Sequence, residues 1–281
     1  MVRLQNSGGR YRVLEVNVSA TSYDEVTDRC GGWIAARKAG TGGPVARYIC
    51  VTSVHGVITA HDDPEFRNIL NAADIVTPDG MPLVWALRSL GLARQPRVYG
   101  PTLMLRLCEA AAQEGHRIFL YGATPECLEA LRRRLAQFFP ALQIAGVYAP
   151  PFRKLTRAED RDIQRRILDS QADVVLVGLS TPKQERWMWE HRTCFPGVVL
   201  VGVGAAFDFH AGRVCQAPSW MQGHGLEWLF RLAMEPARLW RRYLLVTPRF
   251  LPLWFIARLR ASSAPVPADR PVPKLSPKQA A

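Results

Sequence analysis

The chain has 281 residues, 48% of them hydrophobic, with a formal charge of +12 and an isoelectric point near 9.9. That length and apolar content suffice for one substantial core, or for a core with an appendage, and exclude a chain that is disordered throughout. The positive charge calls for an anionic partner without choosing between nucleic acid, phosphorylated substrate and acidic lipid, so its location has to decide.

Six cysteines, Cys30, Cys50, Cys108, Cys127, Cys194 and Cys215, are scattered without a C-x-x-C pair or a close histidine. They read as reduced, buried thiols, and neither a metal nor a cofactor is expected. Residues 1–12 are polar and hold glycines where a secretory signal needs an apolar centre, so a cytoplasmic location is expected. No stretch reaches the ~20 uninterrupted apolar residues of a spanning helix. The nearest, 244–259, is broken by arginines, which suits a protein lying on a membrane surface.

Along the chain, strands and helices alternate in the pattern of an α/β fold, a Rossmann-like and largely parallel sheet with helices on both faces. Residues 47–57 hold a β-branched run, 64–72 a helix and 74–77 an extended segment, followed by a loop with Gly80 and Pro82. Helical spacing returns over 101–114, closed by Gly115, and hands over to a strand at 117–121. Thr124 is placed to cap a helix over 125–138, with Glu126 and Glu129 near its positive end. A strand at 142–148, a charged amphipathic helix at 156–170 and an apolar strand at 172–179 follow. The helix 182–191 and the strand 198–203 complete the alternation.

Beyond Asp208 the character changes. Residues 226–260 carry seven arginines against two acids, a balance of about +5, interleaved with Trp228, Trp240, Tyr243, Trp254 and Phe255. This reads as a helical, membrane-associating appendage and assigns the basic charge to acidic lipid rather than nucleic acid. The expected organisation is an α/β domain over 1–224, the appendage over 225–260 and a proline-rich disordered tail over 261–281.

Ligands of open α/β sheets bind beyond the carboxyl ends of the strands. Five segments lie there: Thr52-Ser53, Thr77-Pro78-Asp79-Gly80, Gly122-Ala123-Thr124, the stretch from Gly178 through Lys183 and Gln184, and Gly202-Val203-Gly204 with Asp208 beyond. Asp79 has apolar neighbours from Met81 to Trp85, where desolvation raises a carboxyl pKa, and a positioned carboxylate can take a proton from an attacking hydroxyl. The same tripeptide is also an ordinary Pro-Asp-Gly turn. Gly202 and Gly204 lack the third glycine of G-x-G-x-x-G, whose position Phe207 occupies. Lys183 and Gln184, in the first turn of a helix, can face a phosphate or a sugar hydroxyl, and Arg97 can contact an anion; all three types also serve as plain solvated residues.

In order, these pieces resemble the WecG/TagA/CpsF family of glycosyltransferases, family 26 in the usual sequence classification. The segments that carry the resemblance are VSATSYDEV at 18–26, DIVTPDG at 74–80, RVYGPTLM at 97–104, IFLYGA at 118–123, VGLSTPKQERW at 177–187, GVGAAFDFHAG at 202–212 and GLEWLFRL at 225–232. The family implies inverting, metal-independent transfer of a sugar from a uridine diphosphate donor to a polyprenyl-diphosphate-linked sugar, on the cytoplasmic face of a membrane, in cell-surface polysaccharide synthesis. Asp79 matches its proposed base, Arg97 and Gln184 its polar substrate contacts, and Asp208 with the nearby glycines its donor pocket. Appendage arginines proposed to close over the site fall on Arg231, Arg238 and Arg241. At i, i+7 and i+10 they share a face if helical geometry continues past Pro236.

Two departures stand out. Where relatives commonly show Thr-x-Asn after the first strand, this chain has Val51-Thr52-Ser53, and the segment that often reads GxDL is Gly100-Pro101-Thr102-Leu103, without its carboxylate. The alternatives to a transferase are a nicotinamide-dependent oxidoreductase, opposed by the missing glycine and ribose-binding acid, and a non-catalytic membrane-surface module on the same fold. The sequence leaves the sugar and the oligomeric state open.

Overall fold

The computed structural model describes residues 8–260. The expected disordered tail at 261–281 and the first seven residues lie outside them. A short antiparallel hairpin, β1 (Arg10–Val13) and β2 (Val16–Ser19), precedes α1 (Tyr23–Lys38). Ser22 starts that helix with a capping box: Glu25 N donates to Ser22 Oγ at 3.3 Å and Ser22 N to Glu25 Oε2 at 3.1 Å.

The body follows as β3 (Arg47–Thr52), α2 (Val54–Asp62), α3 (Pro64–Ala72), β4 (Ile75–Pro78), α4 (Met81–Ser89), α5 (Gly100–Glu114), β5 (Arg117–Gly122), α6 (Pro125–Phe138) and β6 (Gln143–Tyr148). It continues through α7 (Arg157–Asp169), β7 (Val174–Gly178), α8 (Lys183–His191), β8 (Val199–Gly202), α9 (Ala206–His210) and α10 (Ser219–Gly223). Six strands pair in parallel in the order β4-β3-β8-β7-β5-β6.

Two cores flank this sheet, as strands buried on both faces require. From β3, Tyr48 and Cys50 point into one core with α2, α3, α4, α7 and α8, while Ile49 and Val51 point into the other with α1, α5, α6 and α9. The helix after β3 and the helix after β8 therefore lie on opposite faces. These two strands are neighbours, and their carboxyl ends part to leave a crevice where such sheets bind ligands.

Two local expectations need correction. The β-branched run over 47–57 is not one element: β3 ends at Thr52, in keeping with a strand end at Thr52-Ser53, and Val54, Val57 and Ile58 belong to a buried face of α2, with Ser53 at its N-cap position. Gly80 and Pro82 do not form a loop: Gly80 is the N-cap of α4, and Pro82 sits in its first turn, where a missing amide hydrogen costs nothing.

The appendage is helical, as α11 (Glu227–Met234), α12 (Pro236–Trp240), a π-helical turn at Arg241–Val246, a 3₁₀ turn at Thr247–Arg249 and α13 (Phe250–Arg260). It is not detached from the body. Phe250 is 2% exposed within the core that holds α2 and α3, and Arg249 makes a two-pronged ion pair with Asp62 at 2.7 Å. Leu229, Leu244, Leu245, Leu251, Phe255 and Leu259 remain exposed. Among the described residues no helix is long and apolar enough to cross a membrane.

Candidate active site

β4 delivers Asp79 to the carboxyl edge of the sheet, where backbone bonds fix it: Asp79 N donates to Thr52 O at 3.0 Å and Val98 N to Pro78 O at 3.0 Å. The second bond brings the 97–99 segment alongside. Arg97 Nη2 lies 3.1 Å from Asp79 Oδ1, and its Nε donates to the Asp79 carbonyl oxygen. The same Nη2 donates to Glu227 Oε2 at 2.7 Å, while Tyr99 Oη donates to Glu227 Oε1 at 2.9 Å. Arg97 also stacks on the Tyr99 ring, its guanidinium carbon 4.1 Å from the centroid.

These groups floor an open cleft of about 660 Å³, solvent at its mouth included, roofed by Trp228, Arg231, Arg242 and Tyr243 of the appendage. Burial raises the Asp79 carboxyl above its ordinary value; Arg97 opposes that shift and Glu227 adds to it. Arg97 is pushed the other way by burial, yet the two acids hold its pKa above the ordinary arginine value. Burial, followed by Arg242, lowers His55 on the cleft wall to about 4, so this imidazole is neutral at physiological pH.

The appendage arginines divide. Arg231 lines the cleft, its guanidinium 5.4 Å from the Phe209 ring and its Nε buried without a partner. Arg238 is exposed and bonds Glu235 at 2.5 Å, and Arg241 is exposed beside the Trp240 ring. The shared face expected of the three is not formed, because Glu235, at φ −135° and ψ 57°, ends α11 before Pro236 begins α12. The second arginine in the cleft is Arg242, whose Nη2 donates to Ser53 Oγ at 3.2 Å and whose Nε is buried and unpartnered.

Ser53 thus faces the cleft, whereas Thr52 is buried, its hydroxyl 3.4 Å from Cys50 O and its methyl against Gly56. The remaining candidates lie farther along the same sheet edge. Sheet order sets Asp79, Ser53, Gly204, Gly178 and Gly122 at successive strand ends, a row spanning roughly 19 Å at about 4.8 Å per strand. Gly178 and Gly122 both stand in tight packing. A Cβ on Gly178 would meet the Phe207 ring at 2.6 Å, and one on Gly122, at φ +130°, would meet Gly178 O at 2.5 Å. Phe207 therefore fills the space a third fingerprint glycine would leave open.

Gln184 is buried at the first turn of α8; its Nε2 donates to Glu185 Oε1 at 3.0 Å and its Oε1 has no partner. That free oxygen is 3.6 Å from the point where a Cβ of Gly204 would stand. Glu185 also accepts from Thr181 Oγ1 at 2.7 Å, and burial raises its carboxyl. Lys183 is exposed. Asp208, on α9, stands 3.6 Å from Cys127 Sγ. Gln184, Lys183 and Asp208 are outside the lining of the Asp79 cleft.

Glu227, Tyr99, Arg242 and His55 are cleft residues that sequence reasoning did not single out. Glu227 and Tyr99 lie inside quoted segments, GLEWLFRL and RVYGPTLM, so their neighbourhoods were marked but not their roles. Arg242 is adjacent to Arg241 in the π-helical turn, and of the two it is Arg242 that lines the cleft.

The sequence model of the "Glycosyl transferase WecG/TagA/CpsF family" matches residues 11–264. Among curated proteins, the chain is 34% identical over 206 residues, 73% of its length and 77% of the relative's, to an N-acetylglucosaminyldiphosphoundecaprenol N-acetyl-beta-D-mannosaminyltransferase of Bacillus spizizenii. A Bacillus subtilis protein of the same name is 32% identical over 183 residues, 65% of this chain and 69% of its own. With a match that runs from the hairpin through the appendage, and an acid–guanidinium cleft at the ligand-binding edge of the sheet, the chain belongs to the WecG/TagA/CpsF family and is a glycosyltransferase.

Proposed function

We propose that the protein transfers a hexosyl unit, with inversion and without a metal ion, from a uridine diphosphate sugar to a polyprenyl-diphosphate-linked N-acetylglucosamine at a membrane surface. The observation that carries this reading is Asp79, a carboxylate of raised proton affinity held by Arg97 on the floor of a cleft that arginines roof. Asp79 takes the proton of an acceptor hydroxyl as that oxygen attacks the anomeric carbon from the face opposite the diphosphate. The carbon–oxygen bond to the diphosphate breaks, and uridine diphosphate leaves with the electron pair. Arg231 and Arg242 supply the positive charge that this leaving group needs. The acceptor class follows the names of the two Bacillus relatives, and the exposed apolar side chains of the appendage suit a lipid-borne substrate.

The test is a panel of uridine diphosphate sugars, N-acetylmannosamine first, assayed with a short lipid-linked N-acetylglucosamine and with the anomeric configuration of the product read by NMR. Asp79→Asn is expected to keep the fold and donor binding while losing a hundredfold or more in kcat, the scale of a general base. Near-normal turnover in that variant removes Asp79 from the role.

A further inference from the structure

Arg97 is one guanidinium between two carboxylates. Its Nη2 is nearer to Glu227 Oε2, at 2.7 Å, than to Asp79 Oδ1, at 3.1 Å. Asp79 belongs to the α/β body and Glu227 is the first residue of α11, 148 positions later in the chain. Glu227 is also fixed from its other oxygen by Tyr99 Oη at 2.9 Å and is only 9% exposed. Gly225 makes this placement possible: at φ +73° it turns the chain against Trp85 and Met81 of α4 and sets the start of α11 over the cleft. A carboxylate buried on a shared arginine has no role in packing that a neutral residue would not fill at lower desolvation cost.

We propose that Glu227 is a positioning residue: seated with α11, it takes the nearer bond of Arg97 and so sets how tightly Arg97 holds Asp79. This rests on the reading of Asp79 as the base. With Glu227 absent, the whole charge of Arg97 faces Asp79, which becomes a weaker proton acceptor. With Glu227 in place, part of that charge is offset and Asp79 accepts a proton more readily. The other charged or titratable groups facing Asp79 are Tyr23, Tyr99, Arg231 and Arg242, with His55 on the wall of its cleft, and His55 is common to every variant below. Burial raises the two tyrosines, leaving them neutral near pH 7, and the two arginines are common to every variant below.

The experiment is the pH dependence of kcat/KM for the full chain with vesicle-borne acceptor, in wild type, Glu227→Gln, Glu227→Asp and Tyr99→Phe. Glu227→Gln keeps the shape but removes the charge, so the acidic limb moves down by about 1 pH unit and kcat falls, with donor KM unchanged. Glu227→Asp keeps the charge and holds the limb at the wild-type position. Tyr99→Phe removes a donor that partly satisfies Glu227, leaving more of its charge on Arg97, and the limb moves up. A limb that stays put in Glu227→Gln, or that shifts the same way in Glu227→Gln and Tyr99→Phe, overturns the proposal. If Glu227→Gln does not fold, an unmoved or lowered limb in Tyr99→Phe overturns it alone. Should Asp79→Asn retain turnover together with its acidic limb, the failure lies in the identity of the base, whereas an inactive Asp79→Asn with an immobile Glu227→Gln limb isolates the failure to Glu227.

Discussion

Arg242 Nη2 donates to Ser53 Oγ at 3.2 Å, a bond that joins the π-helical turn of the appendage to the corner where β3 becomes α2. Arg238 and Arg241 make no such inward contact. Replacing Arg242 or Arg231 by Ala should therefore lower kcat/KM about 10- to 100-fold, the range of one charge-assisted hydrogen bond. Arg238→Ala and Arg241→Ala should stay within about threefold, as surface substitutions do. Steady-state kinetics on the four variants checks the division, and equal losses at all four positions would dissolve it.

The pH profile follows from the state of Asp79. A base must be unprotonated to act, so activity falls as pH drops through its pKa. Burial raises that pKa above the carboxylate's ordinary 3.8, with Arg97 opposing the shift and Glu227 reinforcing it. The acidic limb of kcat/KM is accordingly expected higher than that of an ordinary, solvated carboxylate, and Asp79→Asn should abolish it along with most activity. A limb at or below the ordinary carboxylate value of 3.8 contradicts the buried setting of this carboxyl.

Gly178→Ala tests whether the strand-end glycines are structural. The added methyl would lie 2.6 Å from the Phe207 ring, so the ring or the strand must shift. Thermal unfolding should show a loss of about 1–3 kcal/mol, typical of overpacking, with or without donor present. Stability at the wild-type level with donor binding lost would instead assign Gly178 to the ligand.

Truncation before Gly225 removes the roof of the cleft, the basic helices and Phe250. The α/β body should still fold, since both cores and the six-stranded sheet remain, but with a lower Tm because the site of a buried phenyl ring is emptied. Cosedimentation with anionic vesicles should be lost, and in the intact chain high salt should weaken only the part due to arginine. Full vesicle binding by the truncated chain would place the membrane contact elsewhere.

Much of the body was legible because its signals are local. The helix α6 has the bounds given by Thr124 and Pro140, and α5 ends at Gly115 in the left-handed conformation expected of a C-cap glycine. The apolar runs at β5, β7 and β8 announce strands buried on both faces. α2 was missed because β-branched Val54, Val57 and Ile58 suit a strand as well as a helix. The hairpin β1–β2 has only four residues in each strand, too little for a period to show.

Within the site, Asp79 and Arg97 were legible as members of ordered segments, and the structure brings them together. Glu227 was not, since its meaning comes from Arg97, 130 positions away, and no periodicity encodes that distance. Arg231, Arg238 and Arg241 were grouped by the family resemblance, and a shared face followed only if helical geometry continued past Pro236. That condition fails at Glu235, which leaves helical geometry before α12 begins, and a π-helical turn follows from Arg241.

The burial of Phe250 gives the appendage a second mooring. One end is held at Glu227 by Arg97 and Tyr99, and the other is plugged into the body by a phenyl ring next to the Arg249–Asp62 pair. Between them run the break at Glu235 and the two irregular turns. The assembly behaves as a span fixed at both abutments, not as a flap hung from one. Widening the cleft must either bend that span or draw the ring from its socket at a cost of about 1.5–3 kcal/mol.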